Sequence, residues 1–242
     1  MKIIKLDTIN STNSFLKEMS QNGACDNFTV VVAKHQTDGK GQIDKKWITE
    51  SGKNLTFSLL FSDNLLIINQ KYINLAVSLA IYETLKKIKV PNLSIKWPND
   101  IMTDTQKIAG ILIETFIRGQ YIHKAIIGIG LNVNQETFPN ELNRATSLKL
   151  VTNKEFDLDA VLVDLLSALK EKLAVVTQKN FSKLEAAYGK ALYMKNVTTD
   201  FRDNHGKVFT GKITGISKTG NLLIEDSDQQ TLEFGIKEIK FA

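Results

Sequence analysis

Between residues 96 and 114 the chain reads KWPNDIMTDTQKIAGILIE, and few backbones can carry that order. Pro98 lacks an amide donor and fixes its own φ, so the extended run closing at Lys96 and Trp97 stops there, and Asn99 and Asp100 turn the backbone. A second polar turn, Thr103 to Gln106, leads to Lys107, which opens the apolar segment Ile108 to Ile113. A cation at the mouth of a buried strand is costly unless something anionic meets it; the alternative is that its aliphatic stem carries the charge out to solvent. Strict alternation puts Lys107, Ala109, Ile111 and Ile113 on one face and Ile108, Gly110, Leu112 and Glu114 on the other. Lys107 and Gly110 are therefore expected on opposite faces unless the strand twists or bulges.

The flanking segments alternate between strand and helix signals. Residues 2 to 6 alternate as a short strand, and Asn10 or Ser11 caps a helix with Phe15, Leu16 and Met19 on its apolar side. Phe28 to Ala33 is an uninterrupted apolar run, the pattern of a strand covered on both faces. Asn54 to Phe61 places Leu55, Phe57 and Leu59 on one face and Thr56, Ser58 and Leu60 on the other. Asn69 to Lys89 is helical, with Ile73, Val77, Ala80, Leu85 and Ile88 at helical spacing and Pro91 ending it. Leu93 to Lys96 and Tyr121 to Leu131 read as strands, the latter holding Gly128 and Gly130 two apart. Asp157 or Asp159 starts a helix through Val176, and a shorter one covers Phe181 to Ala191. From Val197 the texture changes to short β segments, with turns at Asp203 to Gly206, Thr219 to Asn221 and Asp226 to Asp228. That spacing predicts a small barrel of the SH3-like kind.

Residues Lys34 to Lys53 form a long polar segment, and such segments are usually functional or mobile. Gly39 and Gly41 let backbone approach a ligand, Lys40, Lys45 and Lys46 supply positive charge, and Trp47 supplies a flat apolar surface, so the loop is suited to cradle a phosphate. Upstream, NSTNSF at residues 10 to 15 puts Ser11, Thr12 and Asn13 in or beside a first helical turn, where backbone amides lack partners.

The stretches NSTNSF, HQTDGKGQIDKKW (35 to 47) and KWPNDIMTDTQKIAGILIE, in that order, resemble the biotin protein ligases. The resemblance implies an α/β (α+β) fold. A mixed β-sheet flanked by helices, the class II synthetase-like biotin/lipoate ligase catalytic domain, spans residues 1–191, and an SH3-like small barrel spans 192–242. It implies biotin contacts at Ser11, Thr12, Asn13, Gln36, Gly39, Lys40, Gly41, Lys107 and Gly110, and ATP or adenylate contacts at Lys40, Gln42, Trp47, Asn54, Asn99, Lys107 and Asn132. Lys107, Lys40 and Gln42 would carry catalysis, with Asp100 on Mg²⁺, an ion that needs few protein ligands. The segment around Arg144, Thr146 and Ser147 corresponds to a mainly structural region. The loop departs from the family pattern, since Lys40 and Gln42 stand where arginines are usual and Asp44 where glycine is common. Arginine offers a bidentate fork to phosphate, whereas lysine is a point charge and glutamine is neutral. The resemblance implies formation of biotinyl-5′-AMP from biotin and ATP, then transfer to a lysine of a biotin carboxyl carrier domain. A lipoate or octanoate transferase of the same fold and a non-catalytic biotin-binding regulator are the alternatives.

Composition adds exclusions. A net charge of +5 is compatible with an anionic ligand or acidic partner but decides nothing alone. The single cysteine, Cys25, excludes an internal disulfide, and His35, His123 and His205 form no triad or metal pattern with it. No apolar run approaches the roughly 20 residues of a membrane span, and the start MKIIKLDTIN lacks a secretory core, so a cytoplasmic protein is expected. The C-terminal segment carries Glu225, Asp226, Asp228, Glu233 and Glu238 and no aromatic stacking row, which speaks against nucleic acid. Nothing ahead of the NSTNSF motif has a recognition-helix pattern, so the ligase-only class, without a DNA-binding domain, is expected. Homodimers occur in the family, and no interface is legible in the chain.

Overall fold

The computed structural model describes residues 1–23, 25–42 and 45–242. Strand β1 (Ile3–Ile9) runs into helix α1 (Thr12–Gln21), whose N-cap is Ser11, its hydroxyl accepting from the Ser14 amide. Asn10, the other candidate cap, instead accepts from the Ser11 amide at 2.6 Å. Strands β2 (Val30–Gln36) and β3 (Leu55–Leu66) follow, then helix α2 (Lys71–Lys87) and the strands β4 (Leu93–Lys96), β5 (Asp100–Thr103), β6 (Gln106–Arg118) and β7 (Tyr121–Leu131). Helices α3 (Leu148–Thr152), α4 (Leu158–Thr177, capped by Asp157) and α5 (Phe181–Ala191) complete this part. The strands form a seven-stranded sheet in the order β1-β2-β3-β7-β6-β5-β4, mixed because β1 and β2 pair in parallel while the rest are antiparallel.

Period-two alternation gives this sheet two different faces. Leu55, Phe57, Leu59 and Phe61 of β3, with Ile127, Ile129 and Leu131 of β7, point into the main core under α2 and α4. Thr56, Ser58 and Leu60 point the other way, and Leu60 joins Ile126, Val31 and Leu16 of α1 in a smaller cluster. Hydroxyls and glycines on that second face leave a trough beside α1.

The opening motif forms a hairpin, with two differences from its sequence reading. Asp100 is not in the turn: it opens β5, opposite Lys96 on one side and Gly110 on the other, because residues 97–99 suffice to reverse the chain. The register between β5 and β6 then shifts, Ile101 facing Ala109 and Met102 facing Lys107, so Ile108 is an extra residue in β6. Such a bulge inverts the alternation beyond it. It brings Lys107 to the same face as Gly110, where a Cβ on residue 110 would lie 3.0 Å from the Lys107 Nζ.

Strands β8 (Thr198–Asp203), β9 (Val208–Ile216), β10 (Leu222–Asp226), β11 (Thr231–Phe234) and β12 (Ile239–Phe241) form an antiparallel five-stranded sheet in the order β11-β10-β9-β8-β12. Its Ser217–Asn221 turn docks on the larger part: the Trp97 indole donates to the Gly220 carbonyl at 2.9 Å and the buried Lys71 to the Ser217 carbonyl at 3.0 Å. Trp97 is thus a tie between the two sheets. Among the described residues no helix is long and apolar enough to cross a membrane.

Candidate active site

Backbone register assembles the floor of the trough. Thr56, Gly130, Gly110 and Asp100 lie opposite one another across β3, β7, β6 and β5, and the next row is Ser58, Gly128 and Leu112. The glycines leave space that other elements fill. A Cβ on Gly128 would overlap the carboxamide of Asn13, and one on Gly130 would fall inside the indole of Trp47. Gly128 and Gly130 were legible as a strand-period pair, but their occupants come from α1 and from the loop after β2.

At one end of the trough, Gln36 Oε1 accepts from the Thr12 amide at 2.8 Å and lies 3.1 Å from the Thr12 hydroxyl oxygen. Ser58 Oγ lies 2.7 Å from the Thr12 hydroxyl, and Asn13 donates to Glu114 at 2.9 Å. Ser11, Thr12 and Asn13 are all buried and line this end together with Gln36. The loop closes over it as a small hairpin, with Trp47 N donating to Gly39 O at 2.8 Å and Gly41 N to Lys45 O at 2.6 Å. Gly39 is needed for that closure, since a Cβ there would strike the Trp47 carbonyl. Asp44 lies outside the described residues.

At the other end, Lys107 Nζ stands 2.6 Å from Asp100 Oδ1, off the line of a hydrogen bond, and 5.4 Å from the Trp47 ring centroid. The anion that the strand-mouth lysine requires is therefore Asp100, two strand positions away across the hairpin. The Lys107 backbone is clamped by residues 144–146: its amide donates to Arg144 O at 2.6 Å and its carbonyl accepts from Thr146 N at 3.0 Å. Asn99 spends its amide on the Ile111 carbonyl at 2.8 Å, tying the 97–99 turn to β6.

Two cavities meet at Lys107. The smaller, about 50 Å³, is lined by the Ser11–Asn13 turn, Gln36, Lys40, Gln42, Trp47, Lys107 and the floor glycines 110, 128 and 130. With the indole seated on Gly130 it holds water-sized contents, far below the ~300–1,000 Å³ of ligand pockets. The larger, about 620 Å³, runs between the hairpin and the C-terminal sheet, and Gly41, Gln42, Trp47, Asn99 and Lys107 line both. Lys45, Lys46, Lys96, Lys107, Arg144, Lys237 and Lys240 line it against one carboxylate among the described residues, Asp100. Burial, with the cations of Arg144, Lys107 and Lys45, holds Lys96 below the ordinary lysine pKa, and Asp100 opposes that shift. The Lys96 ammonium also sits 5.2 Å above the Phe241 ring. This chemistry receives a polyanion.

Asn132 lines the larger cavity and donates to Thr146 O at 2.9 Å. Asn54 lines neither: its amide is engaged by Gln135 and by the Val133 amide. No group of three or more His, Cys, Asp or Glu among the described residues forms a metal cage. Asp100 supplies one carboxylate beside the polyanion cavity, which fits Mg²⁺ held mainly by phosphate oxygens and water. Lys96, Arg144, Lys237 and Lys240 had no individual signal in the sequence, because a lysine at a strand end looks the same whether it faces solvent or a cleft.

The comparisons with known proteins point the same way. Residues 6–132 match the model of the biotin/lipoate A/B protein ligase family, and residues 197–236 match the biotin protein ligase C terminal domain. The chain belongs to the biotin/lipoate A/B protein ligase family. The bifunctional ligase/repressor BirA of Bacillus spizizenii is 30% identical over 241 residues, covering 98% of this chain and 71% of that protein. The biotin--[acetyl-CoA-carboxylase] ligase of Paracoccus denitrificans is 30% identical over 105 residues, 43% of each chain. Among solved structures, the Aquifex aeolicus biotin protein ligase in complex with biotin and ATP superposes with a TM-score of 0.81 at 29% identity, covering 100% of this chain and 99% of that one. The family membership, the mixed helix-flanked sheet and the C-terminal β domain expected from the sequence all hold.

Proposed function

We propose that this protein is an ATP-dependent biotin protein ligase. The observation that carries the reading is the position of Lys107 on the boundary of two cavities, one ending in hydroxyls and carboxamides, the other strongly cationic. Biotin would enter the first with its ureido ring toward Ser11, Thr12 and Gln36, and ATP the second. The biotin carboxylate attacks the α-phosphorus, the bond to the β-phosphate oxygen breaks, and pyrophosphate leaves. The amine of a carrier-domain lysine then attacks the acyl carbon, loses a proton, and AMP departs. No nucleophile from the protein is needed; Lys107 neutralises charge on the reacting carboxylate and phosphoryl oxygens, and the loop holds the two substrates in register. Mg²⁺, held by Asp100 and the phosphates, would offset the charge of the departing pyrophosphate. Biotin-dependent exchange of labelled pyrophosphate into ATP tests the reading: exchange with biotin supports it, while exchange with lipoate alone, or biotin binding with no exchange, overturns it.

Two further results are expected. Gln42 lines both cavities where the family pattern has arginine, so Gln42→Arg adds a charged fork beside the adenylate and should slow release of biotinyl-5′-AMP about tenfold. An unchanged release rate would show that position 42 does not retain the intermediate. Lys96 has a lowered pKa in the free protein, and a bound polyanion favours its charged form, so nucleotide binding at alkaline pH takes up a proton. The KM for ATP should accordingly rise as pH climbs through the lowered Lys96 pKa. That rise should flatten in Lys96→Arg, whose guanidinium stays charged; identical pH profiles would remove Lys96 from the nucleotide site.

A further inference from the structure

Behind the smaller cavity lies a carboxylate that the reaction does not use. Glu114 follows Leu112 on the trough face of β6, lies outside the cavity lining, and is held by Lys17 Nζ at 3.3 Å from Oε1. Its other oxygen accepts from Asn13 Nδ2 at 2.9 Å. An ionised carboxylate has no proton to give, so the Asn13 carboxamide must present nitrogen to Glu114 and oxygen to Ser58. Asn13 Oδ1 therefore takes the single proton of Ser58, whose Oγ lies 2.5 Å away. Ser58 Oγ can then only accept, and its neighbour at 2.7 Å is the Thr12 hydroxyl, closer than the 3.1 Å from Thr12 to Gln36. Every donor in the chain Thr12, Ser58, Asn13, Glu114 points away from the cavity. What Thr12 shows the cavity is oxygen lone pairs.

We propose that Glu114 is a positioning residue for ligand recognition, setting through Asn13 and Ser58 the direction of this hydrogen-bond chain so that Thr12 accepts from a ligand N–H. A cyclic urea supplies such a donor and a dithiolane does not, so the device favours a ureido head group. Gly128 belongs to the same device, since any side chain there would expel the Asn13 carboxamide. Lys17 pairs with the carboxylate from the solvent side. The inference rests on the biotin ligase reading above.

The test compares Glu114→Met, similar in size without an acceptor, with Glu114→Gln, whose carbonyl oxygen can still accept from Asn13. Steady-state pyrophosphate exchange should show the KM for biotin raised about tenfold in Glu114→Met, the loss of one oriented hydrogen bond. Its kcat and KM for ATP should stay within about twofold of the parent, and Glu114→Gln should lie close to the parent in all three. A biotin KM in Glu114→Met equal to the parent's, a parallel change in kcat and both KM values, or a Glu114→Gln as impaired as Glu114→Met would each overturn the proposal. If Glu114→Met does not fold, Ser58→Ala decides instead: it breaks the chain at its middle, and a rise confined to the biotin KM supports the proposal while no rise overturns it. A parent without biotin-dependent exchange defeats the ligase reading itself, whereas an active parent with an unaffected Glu114→Met defeats only the role of Glu114.

Discussion

Lys107→Ala should lower the rate of biotinyl-5′-AMP formation about 10²–10³-fold, the scale of removing one preorganised charge or donor from a developing anion. Two effects add. The ammonium that faces both cavities is lost, and Asp100, without its partner at 2.6 Å, turns a less neutralised carboxylate toward the incoming phosphates. The fold should tolerate the change, because Lys107 is held through its backbone to Arg144 and Thr146, and those bonds do not involve the side chain. Lys107→Arg should not restore full activity: a Cβ-sized volume above Gly110 is already in contact with the Lys107 tip at 3.0 Å and with the Trp47 ring at 3.0 Å, leaving little room for a guanidinium. Pyrophosphate exchange and single-turnover adenylate formation measure the effect. Full adenylation activity in Lys107→Ala would refute the assignment.

Gly130→Ala should reduce kcat/KM about 10²-fold, the cost of misplacing a positioning element by roughly 1 Å. The added methyl falls inside the Trp47 indole, and the Gly130 backbone cannot retreat, since β7 is paired there with β3 at Thr56 on one side and with β6 at Gly110 on the other. The indole must leave its seat, and the loop that carries Lys40 and Gln42 moves with it. Gly110→Ala should do less, because its Cβ meets only the Lys107 tip and the rim of the indole at about 3 Å, both able to give by a few tenths of an ångström. Trp47 fluorescence, read in a Trp97→Phe background because the chain has two tryptophans, reports the displacement directly. A Gly130→Ala with unchanged fluorescence and activity, or one milder than Gly110→Ala, would show that the indole does not depend on that slot.

Much of the fold was legible because its periodicities are strong. The face assignment of β3 holds residue by residue, the limits of β4, β7 and α5 coincide with the predicted runs, and the C-terminal turns fall at the glycine and aspartate clusters. The strand at Lys107 was the instructive exception. Its alternation holds from Ala109 onward, but strict alternation puts Lys107 on the wrong face: a bulge is one unpaired residue in a ladder, and whether a ladder has one depends on the partner strand. Likewise, Asp100 looked like a turn residue from its neighbours, and only pairing with Gly110 makes it a strand residue aimed at Lys107.

By itself the sequence determined the local chemistry: a lysine at a strand mouth that must meet an anion or reach solvent, a glycine-rich basic loop ending in tryptophan, hydroxyls at a helix start, and the order that ties them to one family. Each of these is a property of a few neighbouring residues, and short-range rules reach that far. Only the tertiary structure decided that the anion is Asp100, that Gly128 and Gly130 are seats for Asn13 and Trp47, that Glu114 stands behind the hydroxyl chain, and that lysines of the C-terminal sheet line the larger cavity. Those facts depend on register between strands distant in the chain and on the docking of one sheet against another. They are fixed by the summed burial and pairing of the whole molecule, which no short stretch of it encodes.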